Sequence, residues 1–225
     1  MIPYKLVRSN RKTLGLYITK DAQLEVRAPL KMSQRDIEKF IGTKKQWINS
    51  HLAKRKQLNS EKAAFRLDYG AMLTLCGKQY PLIAKEGNHA GFNGECFYLP
   101  PSLPPDIIKQ ISVQTYKNIA KNFLPAKTAQ YAERMNVRAA AVKINSARTR
   151  WGSCSGKNSI NFSYKLIMAD EDVIDYVVVH ELAHTREHNH SAKFWALVEA
   201  VLPDYQARLN KLKQLQETLA AQNWD

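Results

Sequence analysis

Hydrophobic and polar residues alternate over 4–9, 14–19 and 23–28, the two-residue period of strands with one buried face. A helical pattern rich in lysine and arginine follows from about 33 to 57, and 59–64 read as a polar connector. Strand patterning returns at 69–76, 79–84 and 94–99, with Gly77, Gly87, Gly91 and Gly94 marking turns. The run Pro100-Pro101-Ser102-Leu103-Pro104-Pro105 is the clearest linker signal. After it, 106–135 is an amphipathic helical stretch that Pro125 should interrupt, because proline lacks the amide hydrogen and crowds the preceding turn. Residues 140–147 predict a strand. Trp151–Ser155 and Ser159–Leu166, joined at Gly156-Lys157-Asn158, predict a β-hairpin.

The next segment needs a decision between two patterns. Asp170, Glu171, Asp172 and Asp175 place negative charge at an expected helix start, favourable against the helix dipole. Val173, Ile174, Val177, Val178 and Leu182 recur at helical spacing, although Val177-Val178-Val179 would favour a strand by propensity alone. His180 and His184 settle it. Residues four apart share one face of a helix but lie far apart on a strand, so the spacing predicts a helix from roughly 170 to 185 if both bind one metal ion. Ser191 then predicts the cap of a second helix carrying Phe194, Trp195, Leu197, Val198 and Val201. Pro203 interrupts that pattern, and a last helical stretch spans about 204–222. The Phe194–Trp195 pair reads as core packing under the site, not as a substrate platform.

Four of the six histidines fall within His180-Glu181-Leu182-Ala183-His184-Thr185-Arg186-Glu187-His188-Asn189-His190. Glu181 follows the first candidate ligand, where a carboxylate reaches the attacking water without binding the metal itself. This is the arrangement of a zinc hydrolase. Two histidines need a third protein ligand that leaves a fourth position open, and His188, His190, Glu187 and Glu199 are on offer. On a straight helix His188 would lie about 12 Å along the axis from His180, too far for tetrahedral zinc. The helix must therefore end after His184 and the chain must fold back. Asn189 best tolerates the left-handed backbone of such a reversal, which selects His190 as third ligand. The spacing matches the H-E-x-x-H-x-x-G-x-x-H pattern of metzincins, but Glu187 stands at the glycine position, so the turn must be built differently.

Arg150-Trp151-Gly152-Ser153-Cys154, Ile160-Asn161-Phe162, His180-Glu181-Leu182-Ala183-His184, Asn189-His190-Ser191 and Phe194-Trp195 together resemble the YgjP-like family of metal-dependent hydrolases. That family is similar in turn to the SprT-like and WLM zinc proteases. Arg11-Lys12-Thr13, Val26-Arg27-Ala28-Pro29 and Gln46-Trp47-Ile48 extend the resemblance to the N-terminal part. It implies a zincin-like catalytic region, a Zn2+ ion on His180, His184 and His190, Glu181 as catalytic base, and a metallopeptidase acting on a peptide or protein. Ser163 departs from it, standing where asparagine is expected.

The expected fold class is α+β, with a basic, strand-rich module containing one helix over 1–100 and a zincin-like region over 101–225. The hairpin edge beside the metal is a candidate for pairing with an extended peptide, and Gly152 would allow close approach. An ordinary hairpin that only packs the helix explains the pattern equally well. Arg150, Tyr164, Tyr176 and Tyr205 are all candidates for stabilising an oxyanion.

Composition changes this picture in two places. Residues 1–57 hold 14 Lys/Arg against 4 Asp/Glu, whereas 141–225 balance at 10 against 10. The basic end predicts a nucleic acid or another acidic partner, or simply a solvated face. Cys76, Cys96 and Cys154 are odd in number without zinc-finger spacing, which predicts reduced thiols and a cytoplasmic protein. No stretch has a signal-peptide core or transmembrane length, so no membrane is expected. Two other functions fit the residues: a hydrolase of non-peptide amides or esters, and a nucleic-acid-associated protein with a structural zinc. The latter needs a fourth protein ligand such as Cys154 or His188.

Overall fold

A computed structural model describes residues 2–224. The chain forms two compact units, one running to Phe65 and including Ala220–Asn223, the other Arg66–Leu219 with Trp224. The fold class is α+β, as expected.

The first unit is a three-stranded sheet, β1 (Tyr4–Ser9), β2 (Gly15–Ile18) and β3 (Leu24–Pro29), in the order β1-β3-β2. Alternation along the central β3 buries Leu24, Val26 and Ala28, and Ile37, Ile41 and Ile48 complete the same cluster. The single helix predicted over 33–57 is two helices. Ser33 caps α1 (Gln34–Thr43) by accepting from the Asp36 amide, and the chain bends at Lys44 before α2 (Lys45–Ala64). The expected connector 59–64 is the last part of α2, since its Ser, Glu, Lys and Ala residues all tolerate a helix. Asn59 anchors it by donating to the Lys20 carbonyl at 2.8 Å.

The second unit opens with β4 (Met72–Leu75), β5 (Lys78–Ala84), β6 (Gly91–Phe92) and β7 (Phe97–Leu99), ordered β4-β5-β7-β6. Against them lies α3 (Pro105–Met135). Its buried Tyr116 donates to the Thr74 carbonyl at 2.9 Å and meets the Phe97 ring at 5.2 Å. These contacts tie the four strands to the helix that follows, so the expected division at 100/101 falls inside this unit. Pro125 does not break α3. The amide it lacks would have served the carbonyl of Lys121, an exposed residue whose backbone water can satisfy.

A second three-stranded sheet follows: β8 (Ala141–Asn145), β9 (Gly152–Cys154) and β10 (Ser159–Ser163), ordered β8-β10-β9. The predicted hairpin is β9–β10, with Asn158 at φ 56° in its turn. Its second strand ends at Ser163, and 164–168 form a 3₁₀ turn instead. The turn buries Tyr164, Leu166, Ile167 and Met168 together, where a strand would send alternate residues to opposite faces. Three helices end the chain: α4 (Glu171–Ala183), α5 (Ala192–Val201) and α6 (Tyr205–Ala220). Nine of the thirteen α4 residues are buried, so packing overrides the strand propensity of its three consecutive valines. All three cysteines are free. Among the described residues no helix is long and apolar enough to cross a membrane.

Candidate metal centre

α4 ends where the ligand spacing requires. His180 lies in its last turn, and His184, still at right-handed helical angles, caps it by donating its amide to the His180 carbonyl. The chain then tightens: the Thr185, Arg186 and Glu187 amides donate to the carbonyls of Leu182, Ala183 and Ala183. This compact turn makes the reversal. Asn189 is absent from the residues at positive φ, so the left-handed step expected there is not used. Ser191 accepts from the Phe194 amide at 3.4 Å and starts α5, as predicted.

The reversal brings His180, His184 and His190 together, with one ligand atom from each within 4.8 Å of the others. Nε2 of His180 and Nε2 of His190 are 3.1 Å apart. Two nitrogens bound at 2.0–2.1 Å to tetrahedral zinc lie about 3.3 Å apart, so this pair has the spacing of a shared cation. His184 donates from Nδ1 to the Glu187 carbonyl at 3.0 Å. A carbonyl only accepts, so the proton sits on Nδ1 and the Nε2 lone pair is left for a metal. Burial, then the neighbouring His184 and His190 rings, lowers the His180 pKa to about 3, holding that ring in its neutral, ligating form. Among the described residues the group contains these three side chains alone; Cys154 and His188 do not join it.

Phe194 is fully buried against all three rings, with centroids at 4.9, 4.5 and 4.8 Å. It is core packing, as the sequence predicts. Trp195 is more than that. Only half-buried, it stacks on His190 at 5.7 Å and 29°, bracing the most exposed of the three imidazoles.

Glu181 points from the same turn of α4 toward β9. It is 5 % exposed, and its Oε2 has no hydrogen-bond partner. Burial raises its pKa to about 7, with the charge of Arg150 pulling the other way. A Cβ placed on Gly152 would lie 2.6 Å from both Cγ and Oε1 of Glu181. Only glycine therefore leaves room for the carboxylate, a more specific role than the close backbone approach expected from the sequence.

β9 is an edge strand. The Ser163 amide donates to the Trp151 carbonyl and the Ser155 amide to the Ser159 carbonyl, so odd-numbered residues face β10. The amides and carbonyls of Gly152 and Cys154 point the opposite way, along the free edge. Of the four oxyanion candidates, Tyr164 is removed: it is buried and donates to the Trp224 carbonyl at 2.9 Å. Arg150 is exposed and its charge is felt at Glu181. Tyr176 is buried, its ring 5.8 Å from His180, and Tyr205 stacks on Trp195 at 5.2 Å.

A family model described as the YgjP-like metallopeptidase domain matches residues 12–215. The solved metallopeptidase zymogen of Pyrococcus abyssi abylysin is 21% identical and aligns over 43% of this chain and 95% of its own, with a TM-score of 0.39. That of Methanocaldococcus jannaschii jannalysin is 19% identical over 42% and 96%, with a TM-score of 0.37. Comparison with curated proteins gave no match.

Proposed function

The chain belongs to the YgjP-like family and is a metal-dependent peptidase, and from that premise we propose that His180, His184 and His190 hold a zinc ion while Glu181 acts as general base in cleaving peptide bonds. The convergence of three imidazoles beside a buried carboxylate carries this reading. Zinc suits the donor set, since three neutral imidazole nitrogens that leave one position open are a catalytic zinc arrangement. When bound, such an ion polarises a carbonyl and lowers the pKa of water from about 15.7 to about 7.

Glu181 takes the proton of the attacking water on a carboxylate oxygen and delivers it to the leaving amine. A pKa near 7 suits both halves of that cycle. Gly152 fixes the carboxylate's place by leaving it room. The outward amides and carbonyls of Gly152 and Cys154 hold an extended substrate by main-chain pairing. Arg150 brings positive charge to the side where negative charge develops. The free cysteines support a reducing, cytoplasmic setting.

Metal analysis beside a peptide-library digest tests the assignment. Glu181→Gln should keep one zinc per chain and lose turnover by about 10²–10⁴-fold. His184→Ala should lose both. Cleavage unchanged in Glu181→Gln ends the reading of Glu181 as base.

A further inference from the structure

The metal centre gives no task to the first 57 residues, which carry an excess of ten positive charges. On α2 that basic surface includes an exposed aromatic pair. Trp47 is 40% exposed, and His51, one turn later, stacks on it with centroids 4.1 Å apart and planes at 27°. His51 also donates from Nδ1 to the Trp47 carbonyl at 2.8 Å, which holds the ring in place. At 100° per residue, Trp47, His51 and Lys54 fall within about 60° of one another, and Lys44 stands at the N-terminal end of the helix. Glu61 is the helix's one acidic residue; it lies about two turns beyond Lys54 and accepts from Gln57, one turn before it. In the same unit Tyr17, 41% exposed, carries the Arg27 guanidinium 4.4 Å from its ring centroid.

A face that served only solubility would need the lysines but not the tryptophan. An acidic peptide would pair with the lysines and leave the rings unused. Flat rings among cations match unstacked bases on a phosphate chain, whereas a duplex hides its base faces. We propose that α2 binds single-stranded nucleic acid, with a base stacked on the Trp47–His51 pair and phosphates met by Lys44 and Lys54.

The test is fluorescence anisotropy of the full chain with labelled oligo-U and oligo-dT of about twelve nucleotides, at salt from about 50 to about 200 mM. Saturable binding that weakens with salt is expected. Trp47→Ala should weaken it about ten- to a hundredfold with the salt slope unchanged, and Trp47→Phe should restore most of the loss. Lys44→Gln with Lys54→Gln should reduce the slope by about 1.4. Glu181→Gln should bind like wild type, which keeps this proposal separate from the peptidase reading. Circular dichroism melting checks that each variant is folded. The proposal fails if nothing binds at the lowest salt, if folded Trp47→Ala binds like wild type, or if a blunt duplex binds more tightly. It also fails if polyglutamate displaces the oligonucleotide as well as unlabelled oligonucleotide does, which would assign the face to an acidic protein.

Discussion

α2 and α4 both carry the side chains of a proposed site, yet they are held in opposite ways. α2 has twenty residues and one of them, Ile48, is buried; α4 has thirteen and buries nine. The difference follows what each must present. The imidazoles proposed to share one ion, and the carboxylate beside them, need positions fixed to a fraction of an ångström, and all-round packing supplies that rigidity. A helix that meets a flexible polymer needs exposed charge and flat rings, and dense packing would hide both. Burial also changes the chemistry of α4, since desolvation shifts His180 and Glu181 toward their neutral forms.

Phe194→Ala tests the packed side of this comparison most severely. It removes a fully buried ring that touches all three imidazoles. The expected loss is about 3–5 kcal/mol in urea denaturation, together with weaker zinc retention on dialysis. A loss below about 1 kcal/mol would mean that the centre does not depend on this packing.

Glu181→Gln in metal-free protein should stabilise at high pH. The folded pKa of Glu181 is about 7, against an ordinary value of 4.5, so the fold prefers the protonated acid. Below the unfolded pKa both states are protonated and the wild type bears no penalty. As pH rises from the unfolded pKa to the folded one, the wild type loses stability and the glutamine variant does not. The gap should open between those two values and level off near about 3 kcal/mol at higher pH. Denaturation curves for the two proteins that stay parallel across this range would refute the desolvation argument.

Gly152→Ala should act on rate with little effect on metal content. The added methyl must displace the Glu181 side chain, and an ångström-scale misplacement of a reacting group costs about a hundredfold in kcat. Metal analysis and kcat on the same sample check it. The smallest effect belongs to the exposed helix: Trp47→Ala should change stability by less than about 0.5 kcal/mol, whereas Ile48→Ala next to it should cost about 2–5 kcal/mol. Equal losses would mean that Trp47 packs like a core residue.

What the sequence reveals depends on how local each determinant is. Spacing alone predicts α4, the fold-back after His184 and the Ser191 cap, because four-residue repeats and capping side chains act within a turn or two. The carboxylate seat at Gly152 lies 29 positions from Glu181, and only the packing of β9 on α4 reveals it. Tyr164 looks available for catalysis until the Trp224 carbonyl, 60 positions away, takes its hydroxyl. The unbroken α3 depends on whether the backbone group freed by Pro125 faces water, and a residue pattern records that weakly. The sequence likewise hides the attachment of β4–β7 to α3, because Tyr116 reaches back 42 residues to Thr74.

The turn after α4 has one more consequence. Glu187 fixes the second imidazole through its main-chain oxygen, and the turn is closed by amides, so no side chain at that position takes part in the geometry. Position 187 is therefore chemically permissive, and a signature that insists on glycine there would pass over enzymes built this way.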